Sequence, residues 1–140
     1  MLILYLLSWL PYRLQIWLGK LLGRLVYRFV KKRRKIAEVN IALAFPELNK
    51  EAQAKLVKEN LENTGIAIFE SGMAWWWPQW RAKKHFGGIT GYHHIEKAIN
   101  NGKGVLLLVP HMMHLEVAGR MMGIQNNGVG FYRPHNNPLM

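Results

Sequence analysis

The spacing of apolar and polar positions divides the chain into stretches of different period. Residues 1–10 are almost wholly apolar, and Pro11 interrupts the run. A helix needs about 20 apolar residues to span a bilayer, so this run alone is too short. A cleaved leader carries its charge before its apolar core. Here charge follows the core, so no cleaved signal is predicted. From Arg13 the period becomes helical. At about 100° per residue, Arg13, Lys20, Arg24, Arg28 and Lys31 fall in a sector of about 80°. Leu14, Leu18, Leu21, Leu22, Leu25, Val26 and Phe29 fall on the other side. A mixed helix continues over 36–45 and stops at Pro46. Asn49 then reads as an N-cap, with Glu51 in the favourable first turn. The helix predicted over 51–73 places Val57, Leu61, Thr64, Ile68 and Gly72 along one side. Gly65, Ala67 and Gly72 predict close approach of a neighbouring element. A short helix over 93–99 ends at Asn101-Gly102, a C-cap signal.

The last quarter changes period again. Residues 105–109 are five apolar residues between Gly104 and Pro110. That pattern predicts a strand buried on both faces, as in a parallel sheet. A helix over 115–123 and a further strand over 128–132 complete a β-loop-α-β order. The predicted fold class is therefore α/β, with N-terminal interfacial helices followed by the start of a sheet.

Charge sharpens the first of these stretches. Lys and Arg number 19 and acids 8, all of them Glu. Nine of the bases lie between Arg13 and Lys35 with no acid among them, leaving 10 bases against 8 acids elsewhere. The excess is local, so its partner is a local anionic surface. Trp17 and Tyr27 suit the headgroup level of a membrane. An apolar face with Trp opposite a basic face is the pattern of an interfacial helix. The cluster Lys31-Lys32-Arg33-Arg34-Lys35 would hold that end at an anionic leaflet. A solvated basic helix packed on a protein core is the alternative. Nucleic acid fits poorly, because the bases alternate with bulky aliphatics rather than stacking residues. Trp75, Trp76, Trp77 and Trp80 form a second apolar block, suited to lipid, an acyl chain or ordinary packing.

Candidate chemistry concentrates at the end of the predicted strand. Ligands in α/β sheets sit beyond the C-terminal ends of strands, and His111 occupies that position. Glu116 lies five residues on, at the start of a helix. Such a carboxylate can hold one ring nitrogen and leave the other to take a proton from a hydroxyl. The chain has no Cys, no Asp and no Ser after Ser71. Asp-dependent triads and Cys chemistry within this chain are thereby excluded, and a substrate hydroxyl becomes the expected nucleophile. His111, His114 and Glu116 also resemble a ligand cluster, but without the His-Glu-x-x-His spacing of a zinc site. His93 and His94 point apart on a helix. His85 reads as a lone histidine in a basic loop, and Glu70 as a helix-end or ion-pairing residue.

These residues also resemble a known family. His111-x-x-x-x-Glu116 after the apolar strand resembles the His-x-x-x-x-acid motif of glycerolipid acyltransferases. More closely, the chain is similar to the lipid A biosynthesis acyltransferases, the lauroyl and myristoyl transferases of Gram-negative bacteria. The matching pieces run in order. They are Lys31-Lys32-Arg33-Arg34-Lys35-Ile36; Asn40-Ile41-Ala42-Leu43-Ala44-Phe45-Pro46-Glu47-Leu48; Glu70-Ser71-Gly72-Met73-Ala74-Trp75-Trp76-Trp77-Pro78; the strand with His111 and Glu116; and Tyr132-Arg133-Pro134-His135-Asn136-Asn137-Pro138-Leu139. The resemblance implies a membrane-anchoring basic helix over 1–35 and the N-terminal part of an acyltransferase domain over 36–140, with a glycerolipid-acyltransferase-like sheet. It implies transfer of a fatty acyl group from acyl carrier protein to a hydroxyl of a lipid A precursor, at the cytoplasmic face of the inner membrane. His111 would be the general base, Glu116 its orienting partner, and Arg133 a contact for an anionic group of donor or acceptor. No cofactor, metal or nucleic acid is implied. Family members are roughly twice as long, so a truncated, non-catalytic membrane-bound remnant is one alternative. Another glycolipid or an ornithine lipid as acceptor is a second.

Overall fold

Helix α4, Lys50–Trp76, is the element against which the first three helices and the last one pack. The computed structural model describes residues 1–125. Seven helices lie among them: α1 Leu2–Ser8, α2 Tyr12–Phe29, α3 Lys31–Ala44, α4, α5 Gln79–Phe86, α6 Tyr92–Asn100 and α7 Leu115–Gln125. Asn49 starts α4 as its position predicts. Its side-chain oxygen accepts from the Ala52 amide at 2.8 Å, satisfying one orphan donor of the first turn. At the end of α6, Gly102 takes φ +71°, the left-handed conformation that Gly adopts without steric cost.

The buried stripe of α4 steps by four residues through Val57, Leu61, Gly65, Phe69 and Met73. Thr64 and Ile68, expected on the packed side, are exposed. The difference comes from Gly65, which fixes where α2 crosses. An added Cβ at Gly19 would sit 2.6 Å from the Ile66 Cα, and one at Gly65 would sit 2.8 Å from the Gly23 amide nitrogen. Gly19, Gly23 and Gly65 therefore let the two backbones touch, and the stripe follows that contact. Two apolar clusters lie along the seam. Ala37, Val57 and Leu61 bury with Val26 and Ile41 beside them, and Phe69, Met73 and Trp77 bury with Leu18 and Leu22.

The short α1 is tied to the far end of α4 through its own last carbonyls. Gln15 donates to Ser8 O at 2.9 Å and to Leu10 O at 2.7 Å. The buried Trp77 indole also donates to Ser8 O. Arg81 reaches Trp9 O and Leu10 O and lies 4.2 Å over the Trp77 ring. A cation beside a helix C-terminus is favourable, and the otherwise orphaned carbonyls gain donors.

The expected sheet is not present among the described residues, and the α/β class is corrected to an all-helical arrangement there. Residues 103–112 carry no regular secondary structure. Leu106 is 93% exposed and Leu108 97%. A strand forms only where a neighbour takes up its backbone donors and acceptors, and no second strand lies beside 105–109 among the described residues. The apolar run signals a need for burial; it does not supply the partner. The strand expected over 128–132 and the candidate Arg133 lie outside the described residues. The helix expected over 115–123 is α7.

Candidate functional site

The second half of α4 holds one acid within an apolar stretch, and burying a carboxylate requires partners. Glu70 is buried and has two. The Tyr12 hydroxyl of α2 donates to Oε1 in a long contact of 3.5 Å. His114, in the turn entering α7, donates Nδ1–H to Oε2. Desolvation pushes the Tyr12 phenol above its ordinary value of 10.0, and the Glu70 charge and hydrogen bond push it in the same direction. All three effects keep this phenol protonated. The rest of the His114 side chain is largely exposed, at 60% accessibility.

A second cross-helix bond lies beside the first. Glu116 is in the first turn of α7, where the exposed helix amides favour a carboxylate. Its Oε2 accepts from the Trp75 indole Nε1 at 2.8 Å, a charge-assisted hydrogen bond. Glu116 Oε1 has no hydrogen-bond partner among the described residues. Near the other end of the same contact, the Thr64 hydroxyl lies 3.6 Å from Met113 Sδ. Three α4 side chains thus hold the segment 113–116. One turn further along the same side of α7, Arg120 donates to Trp77 O at 3.4 Å, beside the end of α4.

His111 is exposed and has no hydrogen-bond or ion-pair partner among the described residues. It stands three residues before His114, on the stretch without regular structure. The structure therefore brings Glu116 to Trp75 and His114 to Glu70, and does not bring His111 onto Glu116. The ion-pairing role expected of Glu70 holds, with His114 as the partner. The pairings of Glu70 and Trp75 with residues 44 and 41 positions away carry no local spacing. The available signal was a lone acid in an otherwise uncharged run from Asn63 to Trp80. His85 lies on α5 rather than in a loop, its ring 5.2 Å from Trp77. The Trp block divides: Trp77 is buried and stacks on Phe86, while Trp75 and Trp80 are exposed. An open groove of about 520 Å³ lies on the first half of α4, lined in part by Tyr27, Lys35, Glu38 and Val57, away from this cluster.

Comparison with known proteins places this sequence in a class. The sequence model of the bacterial lipid A biosynthesis acyltransferases matches residues 1–140. The chain belongs to that family. It is 39% identical over 138 residues to the lipid A biosynthesis lauroyltransferase of Escherichia coli K12, covering 99% of this chain and 45% of that protein. It is 38% identical, with the same coverage, to the lipid A biosynthesis palmitoleoyltransferase of that organism. A lipid A biosynthesis acyltransferase of Haemophilus influenzae is 36% identical over 79% of this chain and 34% of its own length. The chain thus spans less than half the length of these relatives. No solved structure matches it.

Proposed function

We propose that the chain forms the part of a lipid A acyltransferase that supplies the general base, with His111 as that base and Glu116 as its orienting partner. The donor is an acyl group on acyl carrier protein, and the acceptor is a hydroxyl of a lipid A precursor. The observation that carries the reading is the His111-x-x-x-x-Glu116 spacing, with Glu116 anchored at the start of α7, in a chain that matches the family along its whole length. In the reaction, one ring nitrogen of His111 takes the proton of the acceptor hydroxyl. The oxygen attacks the thioester carbonyl, and the tetrahedral intermediate collapses to an ester. The carrier thiolate leaves and takes up the proton from the imidazolium. Glu116 accepts from the other ring nitrogen, which fixes the tautomer and stabilises the charged ring. No protein nucleophile is required, consistent with a chain that has no Cys and no Ser after Ser71.

The surface of α1 and α2 supports attachment at the cytoplasmic face of the inner membrane. No helix among the described residues is long and apolar enough to cross a membrane. Instead, Leu2, Ile3 and Leu6 of α1 and Trp17, Leu21 and Leu25 of α2 are exposed, and Arg13, Lys20 and Arg28 lie beside them. That outer face suits a helix lying in the interface. The test of the catalytic reading is His111→Ala in the full-length protein. Acyl transfer should fall by about 10²–10⁴-fold, the contribution of a general base, while membrane binding persists. Undiminished transfer would sink the reading.

A further inference from the structure

We propose that Trp75 is a positioning residue for Glu116, holding one carboxylate oxygen so that the other faces His111. The proposal rests on the assignment of His111 and Glu116 above. Glu116 sits at a helix start that is joined to the rest of the described chain mainly through α4 and α5. A carboxylate on a short exposed turn samples several rotamers. The Trp75 indole removes that freedom, because its N–H has one direction and meets Oε2 at 2.8 Å. Oε1 remains without a partner among the described residues and is the oxygen left for a ring N–H.

The indole itself is fixed. Trp75 packs edge-on against Trp76 at 5.6 Å, and Trp76 packs edge-on against Tyr5 of α1 at 5.8 Å. Two residues before Glu116, the His114–Glu70 pair ties the same turn to α4 from the buried side. Glu70 and Trp75 therefore hold the turn at two points, with His111 on the free chain just before it. Both contacts come from α4, whose place is set by backbone contact with α2. A long packed helix is a stiffer support than a loop, which is what a positioned base–carboxylate pair needs.

The experiment is steady-state kinetics of acyl transfer on the full-length protein carrying Trp75→Phe, Trp75→His, Glu116→Ala and the Trp75→Phe/Glu116→Ala pair. Trp75 is exposed, so Phe should leave the thermal midpoint unchanged while removing the donor. Trp75→Phe should lower kcat by about 10- to 100-fold with KM unchanged, the scale of a misplacement of about 1 Å. Trp75→His, which restores a ring N–H at the same number of bonds from Cβ, should recover part of that loss. Trp75→Phe should cause no further loss once Glu116 is Ala. Wild-type kcat in Trp75→Phe, multiplicative losses in the double variant, or a loss that tracks a lowered thermal midpoint would each overturn the proposal. Full activity in His111→Ala is a separate failure, because it removes the role of Glu116 rather than that of Trp75.

Discussion

Glu70 is a carboxylate buried on a helix, and its charge acts on the Tyr12 phenol beside it. The phenol is raised by burial and by Glu70, so folded protein holds this proton to higher pH than unfolded chain does. Below pH about 10, the ordinary tyrosine value, both states are protonated and the contribution is intact. As pH rises past that value the unfolded state ionises first, and stability is lost until the folded phenol also ionises. Tyr12→Phe should therefore show a shallower alkaline fall in urea midpoint than the parent. Near neutral pH it should lose about 0.5 kcal/mol, the low end for a hydrogen bond, since the contact is long. Identical alkaline slopes would show that Tyr12 does not titrate as described. At this scale the sequence reveals residue types and local spacings. The His111-x-x-x-x-Glu116 spacing and the place of Glu116 at a helix start are readable that way. The bonds Glu116 and His114 make are not, because each depends on how α7 lies against α4.

Among the elements, α2 and α4 show how a helix pair can be set by three residues without side chains. At Gly65 an added Cβ would overlap the Gly19 carbonyl and approach the Gly23 amide. Those are backbone atoms, which cannot rotate aside. Gly65→Ala should destabilise the fold by about 3 kcal/mol, the upper part of the range for overpacking. Gly119 of α7 has nothing within 4 Å of a built Cβ, so Gly119→Ala should instead be neutral or gain up to about 1 kcal/mol from helix propensity. Denaturant midpoints of the two variants decide the matter, and equal shifts would deny the close approach. Helix positions were legible because caps and breakers are local: Asn49, Pro46 and Gly102 mark ends that the structure keeps. The close approach at Gly65 was legible too, but not its partner. Residues 105–109 misled for the converse reason. A run of five apolar residues fixes a need for cover, and only a neighbouring strand turns that need into a sheet.

For the whole molecule, the distribution of charge gives the strongest expectation. Arg24 pairs with Glu62, and Arg34 and Lys35 pair with Glu38. Arg13, Lys20, Arg28, Lys31, Lys32 and Arg33 have no carboxylate partner among the described residues. Lys31, Lys32 and Arg33 also begin α3, where the helix dipole disfavours positive charge and no acid stands in the first turn. Such a cluster weakens its own helix, so an external anion is the natural compensation. The sequence already separated basic from apolar sides of α2. The structure divides the apolar side again: Leu18, Leu22 and Val26 turn toward the α4 seam, and Leu21 and Leu25 stay exposed, as does Trp17 among the bases beside them. The outer face thus carries both exposed apolar side chains and charge. Vesicles with anionic lipid should bind the protein, and neutral vesicles should bind it much more weakly. Lys31→Gln, Lys32→Gln and Arg33→Gln together should weaken binding to anionic vesicles by about 3 kcal/mol, at about 1 per base. That is a loss of about 100-fold in affinity. The loss should shrink as salt is raised, because exposed charges are screened over about 10 Å at 0.1 M. Trp17→Ser should weaken binding at low and high salt alike, since its contribution is burial rather than charge. Equal affinity for neutral and anionic vesicles would refute the electrostatic part. Tight, salt-sensitive binding to DNA with none to vesicles would give the basic cluster to nucleic acid instead.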